Sequence, residues 1–198
     1  MLSYKKPSAW TFETSASSGF GAAFVAGEGG YVILNDPNKV AQKFSYLQLG
    51  LGVSLGIKEL HDASAAGSTE NMPSSGFVGI LKACPGDELQ RSDFFGFCLS
   101  VQISASIIDG RSTTAMLMGI PTLQIGKEMV TTGLEIGIRA GLFAQSLGIG
   151  VSEGNALMDL LEMNDLIDNS AKAILLMVGA SAGLQVGVGA TGNLGWVS

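Results

Sequence analysis

Leu47-Gln48-Leu49-Gly50-Leu51-Gly52-Val53-Ser54-Leu55-Gly56-Ile57 places an aliphatic residue at every odd position and only Gln, Gly or Ser at every even one. Successive side chains of a strand point to opposite faces. This spacing therefore predicts a β-strand with one aliphatic face and one face of small residues. The alternation returns from Phe95 to Ile107, where Phe97, Leu99, Val101, Ile103 and Ala105 oppose Gly96, Cys98, Ser100, Gln102 and Ser104. It returns again in Leu134, Ile136, Ile138 and Ala140, and in Leu184, Val186, Val188 and Ala190.

Turn signals separate these runs. Asp109-Gly110 predicts a hairpin that pairs residues 94–108 with 111–120 in antiparallel fashion. Asn35-Asp36-Pro37-Asn38 predicts a turn after the strand 31–34. Gly27-Glu28-Gly29-Gly30 is expected to close a hairpin between 19–26 and 31–35. Short turns between neighbouring strands predict an all-β fold, mainly an antiparallel meander forming a curved sheet or barrel. Two stretches break the rhythm. Residues 59–75 are small and polar and read as a mobile loop. Residues 153–169 predict one amphipathic helix: Ser152 is placed to cap it, Leu157, Leu160, Leu161, Asn164 and Ile167 form a stripe, and Asp159, Glu162, Asp165 and Asp168 form its solvated side. No composition shift marks a boundary, so residues 1–198 read as a single β-rich domain.

Repeated glycine on several strands implies that the small-residue face is covered too, because strand glycine marks close backbone approach. The cover is expected to be a narrow barrel lumen, a second layer or a partner subunit. Composition agrees. Charged residues are 14% of the chain against about 25% in ordinary globular proteins. With 46% hydrophobic residues the chain is not a disordered linker. Seventeen acidic against eleven basic side chains, net −6, argue against nucleic acid as a partner. No secretory signal peptide and no transmembrane helix is evident, which predicts a protein that is cytoplasmic or exported without a classical signal. A membrane barrel fits the length and alternation of 47–57, although the fourteen aromatic residues show no regular girdle in the sequence.

Motifs for catalysis fail on context. Ser54, Ser152 and Ser181 each sit in G-x-S-x-G, but the hydrolase frame needs a histidine later in the chain, and the single histidine, His61, precedes both Ser152 and Ser181. Ser54 falls mid-strand. Gly187-Val188-Gly189-Ala190-Thr191-Gly192 has the G-x-G-x-x-G spacing but leaves no room for the following helix and acidic residue, so it reads as strand. Cys84 and Cys98 are expected to be free thiols, and one histidine is too few for a metal set. No catalytic residue, cofactor or metal is expected.

Residues 18–56 resemble the glycine-rich core of the SYLF lipid-binding domains. The stretch runs Ser18-Gly19-Phe20-Gly21-Ala22-Ala23-Phe24-Val25-Ala26-Gly27-Glu28-Gly29-Gly30-Tyr31-Val32-Ile33-Leu34, followed by the alternating strand from Leu47 to Gly56. The resemblance implies phosphoinositide or membrane binding. Together with the missing polar surface it leads to a non-catalytic β-rich protein that associates with lipid or membrane, toxin-like or effector-like. The alternative is a soluble self-assembling or partner-binding subunit, a homo-oligomer among the options. Lys39, Lys43 and Tyr46 are the candidate lipid or partner contacts.

Close packing on the small-residue face predicts that Gly52→Leu costs about 1–3 kcal/mol or more. An unchanged melting temperature in that variant would show the face to be open to solvent.

Overall fold

The computed structural model describes residues 6–22, 25–55, 67–106, 111–122, 169–182 and 187–198. Nine strands run in chain order: β1 Lys6–Pro7, β2 Thr11–Ala22, β3 Val25–Asn35, β4 Ala41–Leu55, β5 Gly67–Ile80, β6 Gly96–Ser106, β7 Arg111–Ile120, β8 Ala173–Ala182 and β9 Gly187–Val197. Every pairing is antiparallel. The sheet order is β1-β5-β2-β3-β4-β9-β6-β7-β8, and β8 pairs back onto β5. That last pairing turns the curled sheet into a ring of eight strands, with the short β1 attached to β5 beside β2.

The predicted antiparallel all-β architecture is present, but the meander is not continuous. Neighbours in sequence pair within β2-β3-β4 and within β6-β7-β8. β5 joins these two groups at one seam, and β9 fills the other between β4 and β6. The alternating run that begins near Leu184 continues as far as Val197, because both its edges find partners. Residues 67–75, expected as loop, belong to β5, where pairing on both edges outweighs their weak strand propensity. Pro73 has no N–H to give a ladder, and it sits at the β5–β8 register shift, between the stretches where β5 meets β2 and β1.

The antiparallel β6–β7 pairing expected around Asp109-Gly110 is present, but its register differs: Ala105 stands opposite Arg111, where a two-residue Asp-Gly turn would set residue 108. The turn after Asn35 is also present. The Asp36 carboxylate accepts from the Asn38 and Val40 amides at 2.8 and 2.9 Å, and Lys39 takes φ 65°. The expected turn at 27–30 is not there. β3 runs straight through it, and β2 meets β3 with Ala22 opposite Val25. The reason is close approach: a Cβ on Gly30 would run into the Ala16 carbonyl and lie 2.8 Å from Ser17 Cα on β2. Glycine here serves interstrand contact instead of chain reversal.

The predicted helix at 153–169 and the predicted strand at 134–140 lie outside the described residues, apart from Asn169 at the helix end. Among the described residues, only the 3-10 turn Arg91–Phe94 and Asn169–Ser170 are helical.

The apolar core occupies one end of the barrel. Val32, Leu34, Phe44, Val78, Ile80, Met116, Met118, Leu175 and Val197 pack inside it with Trp10 and Phe94. Trp10 contacts Phe94 edge-on at 4.9 Å between ring centroids, and Phe44 lies 4.9 Å from Phe94 and 6.1 Å from Trp10, so the three rings touch as a triangle. These rings plug the barrel. The segment from Leu81 to Phe95 closes over them, and Trp10 Nε1 donates to the Leu89 carbonyl at 2.7 Å. Lys172 pairs with Asp93 at 2.9 Å, and Glu88 accepts from Ser8 Oγ and from the Ala9 amide. Burial pushes the Glu88 carboxyl upward, but the bonds from Ser8, Ala9 and Leu89 outweigh it and hold it below its ordinary value. Gly119, at φ 71°, lets the Asp93 carbonyl pass where a side chain would collide.

A methyl group at Gly30 collides with backbone, whereas one at Gly29 meets the Leu47 side chain at 3.4 Å and the Tyr46 carbonyl at 3.8 Å, both ordinary contacts. Gly30→Ala is therefore expected to lose about 1–3 kcal/mol, lowering the melting temperature by several degrees. Gly29→Ala is expected to stay close to wild type, and thermal melts of the two variants compare them directly.

Candidate interior chamber and outer wall

Above the aromatic plug the lining of the barrel changes character. The alternation that turns Phe44 into the plug also turns Tyr46 and Gln48 inward, one and two steps further along β4. Ser15 and Ser17 of β2, Glu28 of β3, Ser100 of β6 and Thr114 of β7 join them, with Met116 and Met177 completing the wall. The space they leave is about 10 Å³, roughly the room of one water.

Hydrogen bonds cross this layer in one direction. Asn193 Nδ2 donates to Ser100 Oγ at 3.4 Å, and Ser100 Oγ donates to Gln48 Oε1 at 2.7 Å. Gln48 Nε2 in turn contacts Cys98 Sγ at 3.1 Å. The ladder joins β9, β6 and β4, consistent with the register that sets Asn193 opposite Ser100 and Gly50. Asn193 Oδ1 is buried and has no donor among the described residues. Beside Gln48, Tyr46 Oη of β4 donates to Glu28 Oε1 of β3 at 3.3 Å. Burial holds the Tyr46 phenol well above its ordinary range, and the Glu28 carboxylate adds to that. Burial also pushes the Cys98 thiol up to about 12, against smaller opposing effects from Gln48 and the Gly195 backbone.

Chemically this is an accepting, non-nucleophilic layer. The thiol stays protonated near neutrality, and the phenol is a donor, not a base. Among the described residues no group of three His, Cys, Asp or Glu is placed to hold a metal ion. Ser54 and Ser181 lie within β4 and β8, and 187–192 lies within β9, so those glycine motifs are strand. Ser152 and His61 fall outside the described residues. Cys84 and Cys98 are both buried and are not joined to each other.

The outside of the barrel carries the aliphatic residues. Leu47 is 68% exposed, Leu49 62% and Trp196 52%. Trp196 pairs with Leu47 across β9–β4 and with Phe97 across β9–β6, its ring 5.0 Å from Phe97 in edge-on contact. The opposite wall differs: Leu99, Ala115, Leu117 and Ile174 are buried although they alternate with inward-facing residues. Of the contacts expected from sequence, Lys39 and Lys43 lie outside, with Lys43 Nζ 4.4 Å from the centre of the Tyr31 ring. Tyr46 lies inside, separate from them. Sequence reasoning missed Glu28, Ser100 and Asn193. The available signal was Gln48, a hydrogen-bonding amide on a face otherwise made of glycine and serine. Among the described residues no helix is long and apolar enough to cross a membrane, which leaves strands unaddressed.

The chain is 30% identical to the toxin protein Tse4 of Pseudomonas aeruginosa over 199 aligned residues, covering 95% of this chain and 92% of the relative. No family model and no solved structure matches it.

A raised thiol pKa stabilises the fold below the unfolded value, near 9, and that contribution is lost as pH rises towards 12. Urea midpoints are therefore expected to fall more steeply above pH 9 in the wild type than in Cys98→Ala. Equal slopes in the two proteins would show that Cys98 is not the group responsible.

Proposed function

The chain belongs to the family of the toxin protein Tse4, and from that premise we propose that it is a non-catalytic toxin that acts by associating with lipid membrane. One observation carries the proposal. On β4, β9 and β6 the hydrogen-bonding side chains Gln48, Asn193 and Ser100 are buried inside, while Leu47, Leu49 and Trp196 stand exposed outside. A water-soluble barrel has the reverse arrangement, with an apolar lumen and a polar wall. Exposed aliphatic and aromatic residues gathered on adjacent strands mark a surface that another apolar phase covers. The protonated Cys98 thiol and the lack of an activating partner support action by binding instead of bond cleavage. The resemblance of residues 18–56 to the SYLF core points the same way.

With net charge −6, attraction to anionic lipid is weak, so binding is chiefly hydrophobic and survives salt. Flotation with neutral and anionic liposomes is expected to carry the protein upward at low and at high salt alike. A monodisperse monomer by light scattering that never floats would overturn the proposal. A stable oligomer that never floats would favour the self-assembling or partner-binding alternative.

A further inference from the structure

We propose that the outer wall formed by β3, β4 and β9 seats in a phospholipid bilayer at one fixed depth. Leu47 and Leu49 lie among the acyl chains, Trp196 and Tyr31 at the headgroup boundary, and Lys39 and Lys43 on the aqueous side. This rests on the membrane association proposed above and specifies its surface and orientation.

The warrant is a gradient along one direction of the barrel. After Ala41 the outward positions of β4 run Lys43, Ser45, Leu47, Leu49, from charged to polar to aliphatic, and all are exposed; Val40, exposed in the preceding turn, is the one large apolar side chain at the lysine end. The same odd positions of the sequence stay aliphatic at Leu51, Val53 and Leu55. Register sets the aromatics at the changeover. Trp196 is opposite Leu47, with Phe97 beside it on β6, and Tyr31 is opposite Ser45. The sequence shows no girdle, yet pairing sets Trp196 beside Phe97, with Tyr31 one outward step of β4 nearer Lys43. Indole and phenol rings favour that level of a membrane, where one part is dry and another is wet.

The spacing fits the thickness of the headgroup layer. Four residues separate Lys43 from Leu47, about 13 Å along a strand, or roughly 10 Å along the axis of a tilted barrel. The headgroup region on each side is about 5–8 Å thick. With Leu47 at the hydrocarbon edge, the Lys43 ammonium reaches the phosphates or the water beyond, and its contact with Tyr31 holds it there. A protein partner would meet a patch rimmed by polar residues on all sides. Here the exposed side chains of β4 change from Lys43 through Ser45 to Leu47 and Leu49 along the strand, as polarity does across a membrane surface, and the positive groups stand where lipid phosphates lie.

The test uses the full chain with phosphatidylcholine vesicles that contain lipids brominated at shallow or deep acyl positions. Trp10 is buried in the plug, so the change in emission reports Trp196. The expected result is a blue shift on binding, with shallow bromines quenching more strongly than deep ones. Leu49→Ser is expected to weaken partition about tenfold or more. Val178→Ser, on β8 four strands away around the ring, is expected to leave it unchanged. Circular dichroism establishes that both variants keep the fold.

Binding with an unshifted Trp196, with deeper bromines quenching more, or with equal loss in both variants would overturn this surface while leaving membrane association standing. Absence of any binding would overturn both. A blue-shifted Trp196 in a dimer without lipid would assign the wall to a second copy and overturn the lipid occupant.

Discussion

Closure of the strand ring at β5 is the constraint on which the rest depends. A sheet of this length left open would present two edges of unpaired backbone groups, a template for association with other chains. Pairing β5 with β2 on one edge and with β8 on the other removes both edges. It also converts two equivalent faces into an inside and an outside. Each alternating strand must then send one set of residues into a narrow space and the other set out of it. The small-residue face becomes intelligible in those terms, since an eight-stranded barrel has an interior just wide enough for side chains to fill.

The interior is filled in two ways. At one end Trp10, Phe44 and Phe94 take the space, and the energy there is packing: removing a ring of this kind from a core typically costs about 3–5 kcal/mol. Polar groups at that end serve to hold the closing segment, through Trp10 to Leu89, Asp93 to Lys172 and Glu88 to Ser8. Further along, Gln48, Ser100 and Asn193 form a chain of hydrogen bonds in place of apolar contact. A buried polar ladder is costly unless its members are satisfied. In this one the amide of Gln48 spans from Ser100 to Cys98, and Asn193 Oδ1 is left without a donor among the described residues.

The exterior follows from the same division. Because β4 sends Tyr46 and Gln48 inward, it has to send Leu47 and Leu49 outward. On the β6–β7–β8 wall Leu99, Ala115, Leu117 and Ile174 are buried and Val178 is exposed, so among the described residues most of the exposed apolar surface lies on the β4–β9 side. That asymmetry joins the fold to the kinship with a toxin protein. A chain with only 14% charged residues has little polar surface to spread over its walls.

Much of the strand architecture was legible in the sequence because period-two alternation is a local property. Leu47–Leu55, Phe97–Ala105 and the turn at Asn35–Asn38 state their own conformation, as does the place of Ser54 within a strand. Strand order was not, because it depends on which edges meet across distant parts of the chain. The weakly patterned residues 67–75 became strand only when β2 and β8 paired on either side of them. Gly27–Gly30 looked like a turn because glycine permits one, and it became strand because β2 passes too close at Gly30 for any side chain. The chamber and the contact of Trp196 with Phe97 escaped for the same reason: Glu28, Gln48, Ser100 and Asn193 lie far apart in sequence, as do Phe97 and Trp196, and only interstrand register brings each set together. Alternation along the chain determined which residues face together on a strand; closure of the ring decided which of those faces became the inside.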